Sequence, residues 1–193
     1  VSVVDVCCRY ALKSWCAQDR LLRDIVEGLY EKAQTDAAFH PWHKYISEGQ
    51  SLLQGQQVSF DRPSQETDRL FMSIGGEDVI EVQHPQVPAN TPGYLSGMPS
   101  IRLGALAAGK PLIGDDQMRL EFAARHQCIG VDTEFDQVLE SIVGNRKESF
   151  ILIRGACDYS DGTKIVTWQP YSALVAAAFM KSVIEQIPLS SGD

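Results

Sequence analysis

The sequence predicts an α/β fold, and three observations carry the prediction. Residues 128–131 and 150–153 are short, apolar, β-rich runs of the kind that form buried parallel strands, covered on both faces. The segment between them has helical length and period: Phe135, Val138, Leu139, Ile142 and Val143 are apolar, and Gly144-Asn145 stops the helix. Upstream, residues 101–108 read as a further strand whose end is built of small residues.

Length and composition bound the class. A chain of 193 residues fits one domain, over 1–193, large enough for a proper core. Hydrophobic residues at 44% and charged residues at 22% are ordinary for a soluble globular protein. A formal charge of −8 argues against a DNA or RNA partner, because binding a polyanion by counterion release needs basic surface. Local groups can still bind a small anion.

No apolar run approaches the roughly 20 residues of a membrane helix, and the start lacks a charged-then-apolar leader pattern. No membrane partner and a cytoplasmic location are therefore expected. The five cysteines are odd in number and lie mainly in apolar runs, so reduced thiols are expected. With no C-x-x-C pattern, and with His40, His43, His84 and His126 scattered, no metal site is expected.

In chain order, residues 1–8 look like a β-strand that begins abruptly without an initiator Met. From Asp19 to Ala37, Leu21, Leu22, Ile25, Val26, Leu29, Tyr30 and Ala33 recur at three and four residues, one apolar helix face with Asp19 as N-cap. A second helix follows Pro41, with Trp42, Tyr45, Ile46, Leu52 and Leu53 apolar and Gly55 at its exit. Phe39, His40 and Trp42 cluster near its start, as core packing or as a surface for stacking a base.

Residues 60–97 are the least regular third, rich in proline. Within them, residues 69–74 and 78–83 read as a hairpin turning through Gly75-Gly76. Residues 84–98 then form a long loop, expected to be a lid or a subunit contact. After the strand at 101–108, Asp115-Asp116 caps a helix bearing Met118, Leu120, Phe122 and Ala123, with Arg119 and Arg125 on its surface. The last helix spans 170–187, with Tyr171, Leu174, Val175, Ala178, Phe179, Val183 and Ile184 apolar and Pro188 beyond it.

The candidate site follows from the strands. In an open α/β sheet, ligands occupy the crevice beyond the carboxyl ends of the strands, so acids placed just after two strands can converge there. Asp132, Glu134 and Asp158 are in that position. Acids after strands also cap the next helix, and spacing alone leaves both roles open.

Three motifs carry a resemblance. Arg154-Gly155-Ala156-Cys157-Asp158-Tyr159-Ser160-Asp161 is similar to the R-x-x-S-D-x-A-D turn of the nucleoside phosphorylase and methylthioadenosine/S-adenosylhomocysteine nucleosidase superfamily. It is nearer still to the R-G-x-C-D-Y-x-D form of nucleoside-phosphorylase-like domains in multidomain proteins. Asp132-Thr133-Glu134 resembles the family's ribose-holding E-M-E element, and residues 103–113 resemble its G-x-x-x-S-G-x-x-F-I segment, which wraps the base. The three stand in the family's order and at its usual separations; the resemblance covers residues 98–187 well and 1–97 loosely. Ala108 stands where the family usually has Ser, Leu112 where it has Phe, and Thr133 where it has Met.

The resemblance implies a three-layer α/β/α sandwich around a mixed central sheet. It implies cleavage of the N-glycosidic bond of a purine nucleoside or nucleotide, with Asp158 as general acid and Glu134 holding the ribose hydroxyls. Ala108, Gly109, Leu112 and Ile113 would line the base, and Asp132 and Thr133 the sugar. No cofactor is implied, with phosphate as a possible co-substrate, and the protein would be a homo-oligomer. In the family the first strand seen here lies inside the domain, after a glycine-rich phosphate loop, so the chain is expected to be N-terminally incomplete. The other expectation is a non-catalytic nucleoside-binding or oligomerisation module of the same fold.

Overall fold

The computed structural model describes residues 13–75, 78–88, 91–109, 116–132, 135–145, 147, 149–159 and 165–189. In chain order its elements are α1 (Leu21–Thr35), α2 (Trp42–Leu52), β1 (Leu70–Gly75), β2 (Asp78–Val82), β3 (Ala105–Ala108), α3 (Asp116–His126), β4 (Cys128–Asp132), α4 (Phe135–Gly144) and α5 (Gln169–Ile184). Short 3-10 turns occupy Gln65–Thr67 and Val166–Trp168. Helices and strands are thus mixed, as an α/β class requires, and the expected strand over residues 1–8 lies outside the described residues.

The main core is helical. Val26, Leu29 and Ala33 of α1, Trp42, Tyr45 and Ile46 of α2, and Tyr171, Leu174, Ala178, Phe179 and Val183 of α5 are buried together. Periodicity alone explains α1: its buried residues recur at three and four positions, the spacing that keeps side chains on one face. Asp19 accepts a hydrogen bond from the Leu21 amide at 2.9 Å, satisfying a donor the helix start leaves open. That bond is the main reason its carboxyl is held below its ordinary range.

Pro41 precedes α2 with a φ of −60°, already helical, so the helix begins immediately after it. Trp42, only 2% exposed, meets Phe179 edge to face at a centroid distance of 5.4 Å. Farther along, a Cβ on Gly49 would come within 2.4 Å of the Leu174 side chain, so a residue without one lets α5 lie close. The expected apolar face of α2 stops short of Leu52, which is 82% exposed, whereas Leu53 packs against the core.

The hairpin forms, with β1 and β2 antiparallel and Leu70 opposite Val82; Gly75, expected in the turn, is the last residue of β1 and lies opposite Asp78, and Gly76 lies outside the described residues. β3 and β4 are parallel, pairing Ala105 with Cys128, Leu106 with Gly130, Ala107 with Val131 and Ala108 with Asp132. Parallel partners need a crossover, and α3 lies between them in sequence.

Four expectations need correction. The strand at 101–108 is confined to Ala105–Ala108, while Ile101 packs partly against the helical core. Residues 150–153 join no ladder among the described residues; Ile151 and Ile153 instead pack on the helical core, which explains the apolar run without a sheet. Arg119, expected at the surface, is 7% exposed, and Leu120 of the same helix faces solvent instead. Asp115, the expected cap, lies outside the described residues, and α3 opens at Asp116. The last helix ends at Ile184, with Ile184 exposed.

Candidate functional site

Asp132 closes β4 and is the point at which the motif segments meet. The parallel register sets it beside Ala108, and the Gly109 amide donates to its carbonyl oxygen at 3.2 Å, extending the ladder by one bond. Its carboxylate Oδ1 accepts from the Phe135 amide at 3.2 Å, at the first turn of α4. An anion there satisfies an open helix donor and lies at the favourable end of the helix dipole. Its Oδ2 accepts from Arg154 Nη2.

Arg154 is held from two sides. Its guanidinium pairs with Asp132 and lies over the Phe135 ring, 4.8 Å from the centroid. The Asp132 side chain is only 12% exposed and that of Arg154 54%, so the acid is covered and the arginine reaches in from solvent.

The stretch that follows is fitted closely to α5. A Cβ on Gly155 would lie 2.1 Å from the Ser172 carbonyl oxygen and 2.6 Å from its carbon, so only glycine fits against that backbone. The Ser172 hydroxyl donates to the Ala156 carbonyl at 2.8 Å, securing the approach. Asp158, half-buried, accepts at Oδ1 from the Ile165 amide at 2.6 Å and at Oδ2 from the Cys157 thiol at 3.5 Å. Burial pushes the Cys157 thiol above its ordinary value, and the neighbouring Asp158 charge pushes it the same way.

Of the predicted site residues, Ala108, Gly109 and Asp132 come together, and Arg154 links them to the stretch that carries Asp158. Leu112, Ile113, Thr133 and Glu134 lie outside the described residues. The cap reading of Asp132 holds, since one oxygen accepts from the first amide of α4, and the other oxygen pairs with Arg154.

Sequence reasoning missed the turn at 61–68. Tyr159, the residue after Asp158, donates from its hydroxyl to Asp68 Oδ1 at 2.7 Å. The Trp168 indole donates to Thr67 Oγ1 at 3.0 Å, and His84 Nε2 lies 2.8 Å from the Asp68 carbonyl. Beside this junction a cleft of about 550 Å³ opens between Asp68, Arg69, Glu81, His84 and Gln86. Ser64, whose side chain accepts from the Glu66 amide, is a sequence signal for the turn, but nothing local points to its distant partners. Among the described residues no group of three His, Cys, Asp or Glu side chains could hold a metal ion. Nor is any described helix long and apolar enough to cross a membrane.

Fold and site define an α/β protein whose parallel strand ends carry an arginine-bridged acid. No protein-family model matches the chain, and no solved structure matches it. The chain is similar to a nucleotide-binding leucine-rich repeat (NLR)-like protein of Hyaloscypha variabilis, 30% identical over 86 residues. Those residues are 45% of this chain and 8% of that much longer protein.

Proposed function

We propose that the chain cleaves the N-glycosidic bond of a purine nucleoside or nucleotide in the crevice beyond β3 and β4. The observation that carries the reading is the meeting of three motif segments at Asp132: Gly109 on its carbonyl, Phe135 and Arg154 on its carboxylate. Segments that the resemblance assigns to base, ribose and acid are thereby linked at one strand end. The inferred fold is a three-layer α/β/α sandwich on a mixed sheet, which the parallel β3–β4 pair and its crossover helix support.

Breaking the bond between C1′ and the base leaves the bonding electrons on the base and oxocarbenium character on the sugar. Asp158, once protonated, protonates or shares a proton with the purine N7 as the bond breaks, a general-acid contribution of about 10² to 10⁴ in rate. Glu134, in the role the resemblance gives it, holds the 2′ and 3′ hydroxyls so that C1′ moves while the ring stays in place. An oxygen of phosphate then bonds to C1′, or an oxygen of water does so and its released proton returns to the Asp158 carboxylate. The reading brings with it a cytoplasmic homo-oligomer that needs no further cofactor.

One observation favours a second reading, a nucleoside-binding or oligomerisation module without turnover. Both Asp158 oxygens already have partners within the chain, the Ile165 amide and the Cys157 thiol. Similarity to a small part of a long protein named for nucleotide binding suits such a module equally well.

The deciding experiment is chromatographic detection of free base after incubation with adenosine, inosine, guanosine, uridine, methylthioadenosine and ATP, each with and without phosphate. Release only with phosphate identifies a phosphorylase, and release without it a nucleosidase. No release from any of them, together with calorimetric binding of one, supports the module.

A further inference from the structure

The turn at 61–68 belongs to none of the three motif segments, yet it holds the Asp158 stretch on both flanks. On one flank, the Tyr159 hydroxyl donates to Asp68 Oδ1 at 2.7 Å. On the other, the Trp168 indole donates to Thr67 Oγ1 at 3.0 Å. Between these flanks the Ile165 amide donates to Asp158 Oδ1 at 2.6 Å.

The two anchors are neighbours in sequence, and each is fixed by its own bonds. The Thr67 hydroxyl spends its single proton on the Ser64 carbonyl at 2.7 Å, which leaves a lone pair directed to the indole. The second oxygen of Asp68 accepts from Gln65 Nε2 at 3.1 Å, and its carbonyl faces His84 at the end of the hairpin. A carboxylate with both oxygens engaged and a hydroxyl with its proton committed are poor swivels. They hold Tyr159 and Trp168 in one place rather than several.

We propose that Thr67 and Asp68 are positioning residues for Asp158, fixing its carboxylate relative to Arg154 and the β4 end by clamping Tyr159 and Trp168. The proposal rests on the reading of Asp158 as the general acid. Misplacing a reacting group by about 1 Å can cost on the order of 10²-fold in rate, so a clamp several bonds away affects turnover without touching substrate.

The test compares Asp68→Ala, Asp68→Asn, Tyr159→Phe and the Asp68→Ala/Tyr159→Phe double variant in the full chain. Arg69→Ala is the control, since it breaks the neighbouring Arg69–Glu81 pair without touching Tyr159. In base release from the best nucleoside, Asp68→Ala and Tyr159→Phe are expected to lower kcat roughly 10- to 100-fold with KM little changed. Asn at position 68, which keeps an acceptor oxygen, should restore most of the loss, and the double variant should be no worse than Asp68→Ala. Independently of turnover, hydrogen exchange at the Ile165 amide should quicken at least about tenfold in Asp68→Ala and Tyr159→Phe, and not in Arg69→Ala.

A protein that releases no base from any nucleoside defeats the proposed function, and the exchange measurement alone then decides the clamp. Unchanged exchange at Ile165, or quickened exchange with kcat intact, overturns the proposal.

Discussion

Arg154 and Asp132, 22 residues apart in sequence, form the ion pair that joins the end of β4 to the Arg154–Asp158 stretch. The pair is asymmetric: Asp132 is mostly covered and also serves the start of α4, whereas Arg154 is half in solvent and braced on the Phe135 ring. Losing the acid therefore removes the acceptor at the start of α4 as well as the pair, whereas losing the base removes the pair and the Phe135 ring contact, both made by a side chain half in solvent.

Asp132→Ala is expected to destabilise the protein by about 1–2 kcal/mol through the lost helix-start acceptor and the lost pair. Arg154→Ala, at a half-exposed side chain, should cost less than about 1 kcal/mol. Urea denaturation of both variants checks the order.

Gly155→Ala places a methyl group 2.1 Å from the Ser172 carbonyl oxygen, a backbone atom that cannot rotate away. A cost of about 1–3 kcal/mol is expected, with a Tm lower by several degrees. Ser172→Ala, which removes only the bond to Ala156, should cost less. Thermal denaturation compares the two.

Stability should fall with acid through His43. Burial, with His40 stacked at a centroid distance of 4.8 Å adding to it, pushes this imidazole below its ordinary value of 6.5. Between the lowered value and 6.5 the unfolded chain binds more protons than the native one, so stability rises with pH there. The contribution is complete above 6.5 and is lost as pH falls through the native value. His43→Phe keeps a ring in the stack and removes the proton site. The urea midpoint should therefore drop less between about pH 7.5 and about pH 5.5 in that variant than in the wild type.

Asp158→Asn should change the reactivity of its neighbour. The Cys157 thiol is raised first by burial and then by the Asp158 charge, so removing the charge should bring its titration back toward the ordinary 9.0. Alkylation rates at Cys157, followed by mass spectrometry against pH, should shift to lower pH in the variant. Cys128, raised by burial alone, should not move.

Much of this was legible in the sequence where the signal is local. The Gly75-Gly76 pair between alternating residues marked the hairpin, Pro41 marked the start of α2, and three- and four-residue spacing marked the buried face of α1. The acid that ends β4 was also legible, because the apolar run at 128–131 stops there.

What stayed hidden depends on partners far away in sequence. Residues 150–153 are as apolar as a buried strand, but Ile151 and Ile153 pack against the helical core, and an apolar run does not say which surface covers it. Arg119 sits on a helix whose solvent face carries Leu120, an inversion that periodicity does not predict. Nothing in the sequence singles out Thr67 and Asp68, because their partners Trp168 and Tyr159 lie 101 and 91 positions away.

The role of Asp158 as the acid is tested most directly by the rate of base release from the wild type and from Asp158→Asn under identical conditions. Asn keeps an acceptor for the Ile165 amide, so the variant should stay folded, with an unchanged circular dichroism spectrum. Base release by the wild type and a fall of about 10² to 10⁴ in the variant are expected. Equal rates in the two proteins, or no release by the wild type from any nucleoside, would contradict that role.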